Sequence, residues 1–203
     1  MTATLVVLAS GGGSNLQAIL DACDCGILDA EVTLVVVNRR SAFAADRAAA
    51  RGIATHFAPL GPYRDRADDP AVARSEYDAD LATVVRDAAP DLVIQAGWMH
   101  LFSMAFLGEF PNRVVNLHPA LPGAFPGAHA IDDAWAAHES FGLDHTGVMV
   151  HLVPDEGVDD GPVVLSERVP ILPDDTREAL EQRIHAVEHR VFPAAIAQLL
   201  ESR

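Results

Sequence analysis

The sequence predicts an α/β protein, a Rossmann-like three-layer α/β/α arrangement. Its sheet is mostly parallel, of about seven strands, with an antiparallel portion near the C-terminus. Three observations predict this. Short apolar, β-branched runs alternate with helical patterns along the 203 residues. The strand runs are continuously apolar, as strands covered on both faces are. The last two runs follow one another through a short acidic loop with no helix between them, which permits antiparallel pairing there.

The elements can be justified in order. Leu5–Ala9 reads as the first strand, and the glycine-rich turn after it leads into a helix over Leu16–Cys23. Val32–Val37 is the second strand, followed by a helix over Ala42–Arg51 and a strand over Ala54–Phe57. A long helical pattern over Ala71–Ala88 precedes the strand Leu92–Ala96. A short helix over Ser103–Gly108 leads to the strand Val114–Leu117. The Pro/Gly-rich stretch Pro119–Gly127 is a loop, too short to divide domains. A helix over Ala130–Ser140, strands over Val148–Leu152 and Val163–Val169, and a helix over Thr176–Leu200 complete the chain.

Composition narrows the function classes. Half of the residues are hydrophobic, and residues 1–203 read as one domain with a substantial core. No apolar run is long enough to span a bilayer, so no membrane partner is expected. The opening Met1–Leu8 lacks a basic leader and reads as a strand. Cys23 and Cys25 are too close together to staple a fold, and read as reduced thiols of a cytoplasmic protein. The formal net charge is −15, and all 14 basic residues are arginine. Without lysine, Schiff-base chemistry and a lysine-dependent phosphate loop are excluded. The acidity also argues against a nucleic-acid partner.

Candidate sites follow from residue type and spacing. Asn116 and His118 stand two apart at a strand end, so both side chains point the same way. Asp159 comes from the turn Val158-Asp159-Asp160-Gly161-Pro162. An amide, an imidazole and a carboxylate facing one cleft can steady a tetrahedral oxyanion and manage a proton. Read alone, Asn116 could tie down the loop, and His118 could be a satisfied core histidine. The acidic turn Asp155–Asp160 alone reads as a solvated loop.

Ser10-Gly11-Gly12-Gly13-Ser14-Asn15 reads either as a phosphate cradle at a helix start or as a tight structural turn. Ser14 or Asn15 is placed to cap the helix. Leu16 stands where the dinucleotide fingerprint needs its last Gly or Ala. His185-Ala186-Val187-Glu188-His189 matches H-x-x-E-H, in which His185 and His189 would ligate zinc and Glu188 would act as base, given a third protein ligand. Trp98–Phe102 could wall a flat heterocycle or simply pack in the core.

In this order the pieces resemble the folate-dependent glycinamide ribonucleotide formyltransferases, across essentially the whole chain. The resemblance is carried by Ala9–Ile19, Val36-Val37-Asn38, Pro90–Met99, Asn116–Leu121, Pro126-Gly127, Thr146–His151, Asp159–Pro162 and Glu188-His189. The Asn-x-His-Pro and Asp-x-Gly-Pro pieces are shared with other formyl-folate enzymes. The Ser-Gly-x-Gly-Ser-Asn-Leu start selects the glycinamide ribonucleotide branch. The resemblance implies residues 1–100 as the phosphate- and nucleotide-binding half and 101–203 as the folate-binding and catalytic half. It implies Asn116, His118 and Asp159 as the catalytic trio, with His151 in support. Gly13, Ser14, Asn15 and Glu188 would hold the ribonucleotide. Arg74, Met99, His100, Leu101, Phe102 and Asn116 would contact the folate.

It further implies 10-formyltetrahydrofolate as co-substrate, no metal, small-molecule partners only, and a monomer or homodimer. Three positions depart from the family pattern. His100 replaces a usual Arg, Leu121–Phe125 replaces Leu-Leu-Pro-Lys-Tyr, and His185 stands where another polar residue is common. The implied reaction is formyl transfer to the amine of 5′-phosphoribosylglycinamide. The alternatives are a formyltetrahydrofolate hydrolase, a zinc hydrolase built on His185, Glu188 and His189, and a non-catalytic nucleotide-binding module.

Overall fold

The computed structural model describes residues 2–202. Seven strands form one sheet: β1 (Ala3–Ala9), β2 (Ala30–Val37), β3 (Ala54–Phe57), β4 (Leu92–Gln95), β5 (Val114–His118), β6 (His145–Leu152) and β7 (Val163–Pro170). Their spatial order is β3-β2-β1-β4-β5-β6-β7. The pairings among β1 to β5 are parallel, and those of β6 with β5 and β7 are antiparallel. This is the architecture predicted from the alternation of runs.

The helices are α1 (Ser14–Asp24), α2 (Ala44–Ala50), α3 (Gly61–Arg64), α4 (Pro70–Asp87), α5 (Met104–Leu107), α6 (Ala130–Phe141) and α7 (Arg177–Glu201). Period-two geometry splits the sheet's apolar residues between two cores. Leu5, Val7 and Ala9 face a core shared with Leu16 and Ile19 of α1 and Ile184, Phe192 and Ile196 of α7. Val6 and Leu8 face the other, with Tyr77, Leu81 and Val85 of α4 and Phe106 of α5.

Caps set several helix boundaries. Asp69 accepts a hydrogen bond from the Ala71 amide at 2.8 Å and starts α4, with Pro70 just inside. Thr176 accepts from the Ala179 amide and starts α7. At α1 the expectation of a Ser14 or Asn15 cap is corrected. Gly13 is the N-cap, at φ 69°, and no side chain caps the helix. A Cβ on Gly13 would lie 2.9 Å from Cα and Cβ of Ala44, so the turn needs glycine for both conformation and space. The four-residue α3 was not foreseen, because Leu60-Gly61-Pro62 reads as a turn. Proline in a first helical turn forfeits no bond.

The strand order reverses between β1 and β4, and in open sheets ligands bind outside the carboxyl ends at such a point. Here Ser10 donates its amide to the Gly97 carbonyl at 3.0 Å, and its hydroxyl accepts from the Met99 amide at 3.0 Å. The glycine-rich turn and the Trp98–Phe102 segment are thereby pinned side by side.

Candidate active site

A cleft of about 360 Å³ opens at that reversal. Gly11–Asn15 line one end, Gln95–Leu101 one wall, and Asn116–Pro119, Gly127 and Asp159 another, with His185 and Glu188 of α7 closing it. Residues far apart in sequence meet here because the carboxyl ends of β1, β4 and β5 are adjacent.

Asp159 is the hub. Its backbone is left-handed, at φ 53°, a conformation that aspartate tolerates better than most residues. One carboxylate oxygen, Oδ2, lies 3.2 Å from His118 Nδ1 and accepts the Gly127 amide at 2.8 Å. The other, Oδ1, accepts from Asn116 Nδ2 at 3.1 Å and lies 3.5 Å from His151 Nε2. Burial alone would raise this carboxyl. The His151 contact, the Gly127 amide and the two imidazoles outweigh it and hold the group below the ordinary carboxylate range.

The sheet register explains the remaining contacts. Asn116 of β5 stands opposite His151 of antiparallel β6, and Asn116 Nδ2 lies 3.2 Å from His151 Nε2. His151 Nδ1 faces the Leu152 carbonyl at 2.9 Å, which fixes the ring beside Asn116 and Asp159. His118 has an acceptor on each side. Its Nδ1 faces Asp159, and its Nε2 lies 3.0 Å from the Phe125 carbonyl. Phe125 itself is left-handed, at φ 47°.

At the far end Asn15 Nδ2 donates to Glu188 Oε2 at 3.0 Å. Glu188 is buried, and that burial raises its carboxyl, with Asn15 and His185 opposing. Asn15 Oδ1 is buried without a partner. His185 lines the cleft, whereas His189 lines a separate groove between α1 and α7. The two histidines of the H-x-x-E-H match do not converge on one space, and Glu188 is engaged by Asn15.

Of the residues named from sequence, Gly13, Ser14, Asn15, Met99, His100, Leu101, Asn116, His118, Asp159 and Glu188 line the cleft. Three do not. Phe102 is buried in an aromatic stack, its ring centroid 4.0 Å from that of Phe106. His151 lies behind Asn116. Arg74 lies over the Tyr77 ring, its guanidinium 5.9 Å from the centroid. Sequence reasoning missed Gln95, which pairs in register with Asn116 and is buried at the cleft wall. It also missed the Gly127 amide and the Phe125 carbonyl. Backbone groups carry no sequence signal, and Gln95 sat inside an apolar run.

A formyl transferase family model matches residues 3–196. The chain belongs to the formyl transferase family. Among its members, the phosphoribosylglycinamide formyltransferase of Schizosaccharomyces pombe is 46% identical, covering 98% of this chain and 98% of that protein. The Escherichia coli phosphoribosylglycinamide formyltransferase is 36% identical, covering 98% of this chain and 88% of that protein. The crystal structure of glycinamide ribonucleotide transformylase 1 from Symbiobacterium toebii superposes with a TM-score of 0.89 at 38% identity, covering 100% of this chain and 89% of that one. The protein of the same name from Geobacillus kaustophilus gives 0.87 at 37% identity, over 98% and 100% of the two chains. The family's formyl chemistry needs a carbonyl carbon held beside oxyanion donors and a proton acceptor. The Asn116, His118 and Asp159 end of the cleft holds that set of groups.

Proposed function

We propose that this chain transfers the formyl group of 10-formyltetrahydrofolate to the amine of 5′-phosphoribosylglycinamide in the cytoplasmic route to purine nucleotides. The observation that carries the reading is the Asp159 carboxylate bound to Asn116 and lying against His118, in one cleft with the glycine-rich turn. The names of the full-length relatives support the same substrate pair.

In the proposed reaction the substrate amine forms a bond to the formyl carbon, and the formyl oxygen becomes an oxyanion. Asn116 and His118 donate to it. His118 reaches it by giving up its contact with the Phe125 carbonyl. The amine loses a proton, N10 of the folate gains one, and the carbon–N10 bond breaks. Asp159 holds His118 and orients the water or imidazole that relays the proton. Gly13, Ser14 and Asn15 bind the phosphate through backbone amides and the start of α1. Glu188 binds the glycinamide portion. Met99, His100 and Leu101 form the folate side, with Phe102 and Arg74 behind them and His151 steadying Asn116. Bringing two substrates together supplies much of the acceleration. No step requires a metal.

The test is folate-product release, followed by absorbance, with and without 5′-phosphoribosylglycinamide. Turnover only with the amine supports the transferase. Equal turnover without it assigns a hydrolase. His118→Ala and Asp159→Asn are each expected to lower kcat by about 10²- to 10⁴-fold with the fold retained. Near-normal kcat in either variant overturns the assignment.

A further inference from the structure

The three glycines of the turn after β1 have no side chains to hold them, so the shape of the turn comes from a neighbour. That neighbour is α2. A Cβ on Gly13 would lie 2.9 Å from Cα and Cβ of Ala44 and 3.3 Å from Cδ of Arg47. Two donors of α2 reach the turn. The Ala44 amide donates to the Gly11 carbonyl at 3.2 Å, and Arg47 Nε donates to the Gly12 carbonyl at 2.8 Å. Arg47 Nη1 donates to Gln17 Oε1 of α1 at 3.0 Å, so one guanidinium ties the turn to the helix that follows it.

These bonds fix where the amide hydrogens of the turn point. Every peptide bond among the described residues is trans. A planar trans unit directs its carbonyl oxygen and its amide hydrogen to opposite sides. With the Gly11 and Gly12 carbonyls turned onto α2, the N–H groups of Gly12 and Gly13 are turned away from it. Gly12 and Gly13 line the cleft, whereas Arg47 lines the groove between α1 and α7. Neither N–H has an acceptor among the described residues. Consecutive free amides in a turn form an anion-binding concavity.

Arg47 also brings charge. Among the described residues it makes no ion pair, whereas Arg51, four residues on, binds Asp21 and Asp24. Asp21 is shared between Gln17 and Arg51. Both hydrogen-bond acceptors of Arg47 are uncharged, and its guanidinium lies over the Phe43 ring, 5.1 Å from the centroid. The contacts hold the group in place without neutralising it. A positive charge therefore stands behind the two free amides, on a molecule of net charge −15.

We propose that Arg47 is a positioning residue for the phosphomonoester of the ribonucleotide. It acts from behind the turn and touches no substrate. Through the Gly12 carbonyl it aims the Gly13 amide at the phosphate, beside the Gly12 amide that Ala44 aims, and it adds a positive charge to both. The inference rests on the ribonucleotide reading of the cleft. Lysine replaces this arginine only in part, because an ammonium on a flexible stem does not hold the Gly12 carbonyl and Gln17 in the fixed geometry of a guanidinium fork.

The test varies the arginine and the phosphate together. Transfer is measured with 5′-phosphoribosylglycinamide and with its dephosphorylated riboside, in wild type, Arg47→Met and Arg47→Lys. Methionine keeps much of the stem against Gly13 and removes the donors and the charge. Arg47→Met is expected to raise KM for the phosphorylated substrate about tenfold, as loss of charge-assisted bonding gives, with kcat and the folate KM within about twofold of wild type. Its kcat/KM for the riboside should be unchanged, because the riboside offers the turn no anion. Arg47→Lys should show a smaller loss, about two- to fivefold, again for the phosphorylated substrate alone. An equal loss for both substrates, or no loss for either, overturns the proposal. If Arg47→Met does not fold, the same comparison in Arg47→Lys decides, and an unchanged ratio between the two substrates overturns it. Binding of ribose 5-phosphate, followed by phosphorus NMR, separates this from the transfer reaction. A protein that fails to transfer formyl yet binds ribose 5-phosphate more weakly in Arg47→Met loses the function assignment and keeps the positioning role. One that transfers formyl, with the phosphate bound equally well by wild type and Arg47→Met, does the reverse.

Discussion

At the scale of single residues, Glu188 illustrates a conflict between stability and function. Its carboxyl is buried, has one hydrogen-bond donor, Asn15, and is raised by desolvation. A carboxyl whose folded value lies above its unfolded one contributes its full stability below the unfolded value, about 4.3, and loses it as pH rises through the folded value. At neutral pH the ionised group is a cost. Glu188→Gln removes that cost, and its amide can donate to the unpartnered Asn15 Oδ1. Thermal unfolding at pH 7.5 should show Tm up by about 2–4 °C, the two proteins converging near pH 4. Affinity for the ribonucleotide should fall about tenfold or more as a charge-assisted bond is lost. A lower Tm at pH 7.5 would mean that the carboxylate is a net stabiliser of the fold. Asn116, His118 and Asp159 were legible because period two and a Gly-Pro turn fix where their side chains point. Their partners, the Phe125 carbonyl and the Gly127 amide, were not, because any residue supplies them.

At the scale of elements, the strands and long helices were legible because burial on two faces writes itself as apolar runs. The failures were local. Leu60-Gly61-Pro62 reads as a turn and starts a helix instead. The helix read over Thr176–Leu200 does run through Pro193, because its flanks, Phe192 and Ala195, are anchored in the core. The turn carrying Asp159 is set by a contact that pattern reading does not register. A Cβ on Gly161 would lie 1.9 Å from the Leu152 carbonyl oxygen, where β6 ends. No side-chain adjustment relieves a clash with backbone. Gly161→Ala must therefore move the loop relative to β6 and with it the Asp159 hub. Chemical denaturation is expected to show a loss of about 1–3 kcal/mol, as overpacking typically gives. Activity should fall as far as in Asp159→Asn. Wild-type activity in a well-folded Gly161→Ala protein would show that Asp159 is held by its side-chain contacts alone.

At the scale of the whole molecule, the charge balance governs how stability responds to salt. Even with every arginine paired to an acid, 15 negative charges remain, so like-charge repulsion acts across the folded surface. The ion pairs are largely exposed and contribute about 0–1 kcal/mol each. Screening therefore relieves more repulsion than it removes attraction. At about 0.01 M salt the Debye length is ~30 Å and charges interact across the molecule, whereas near 1 M it is ~3 Å. Raising NaCl from 10 mM to 0.5 M should raise Tm by about 2 °C or more. A Tm that falls with salt would mean that the arginine ion pairs, not the excess acid, dominate the electrostatics of folding.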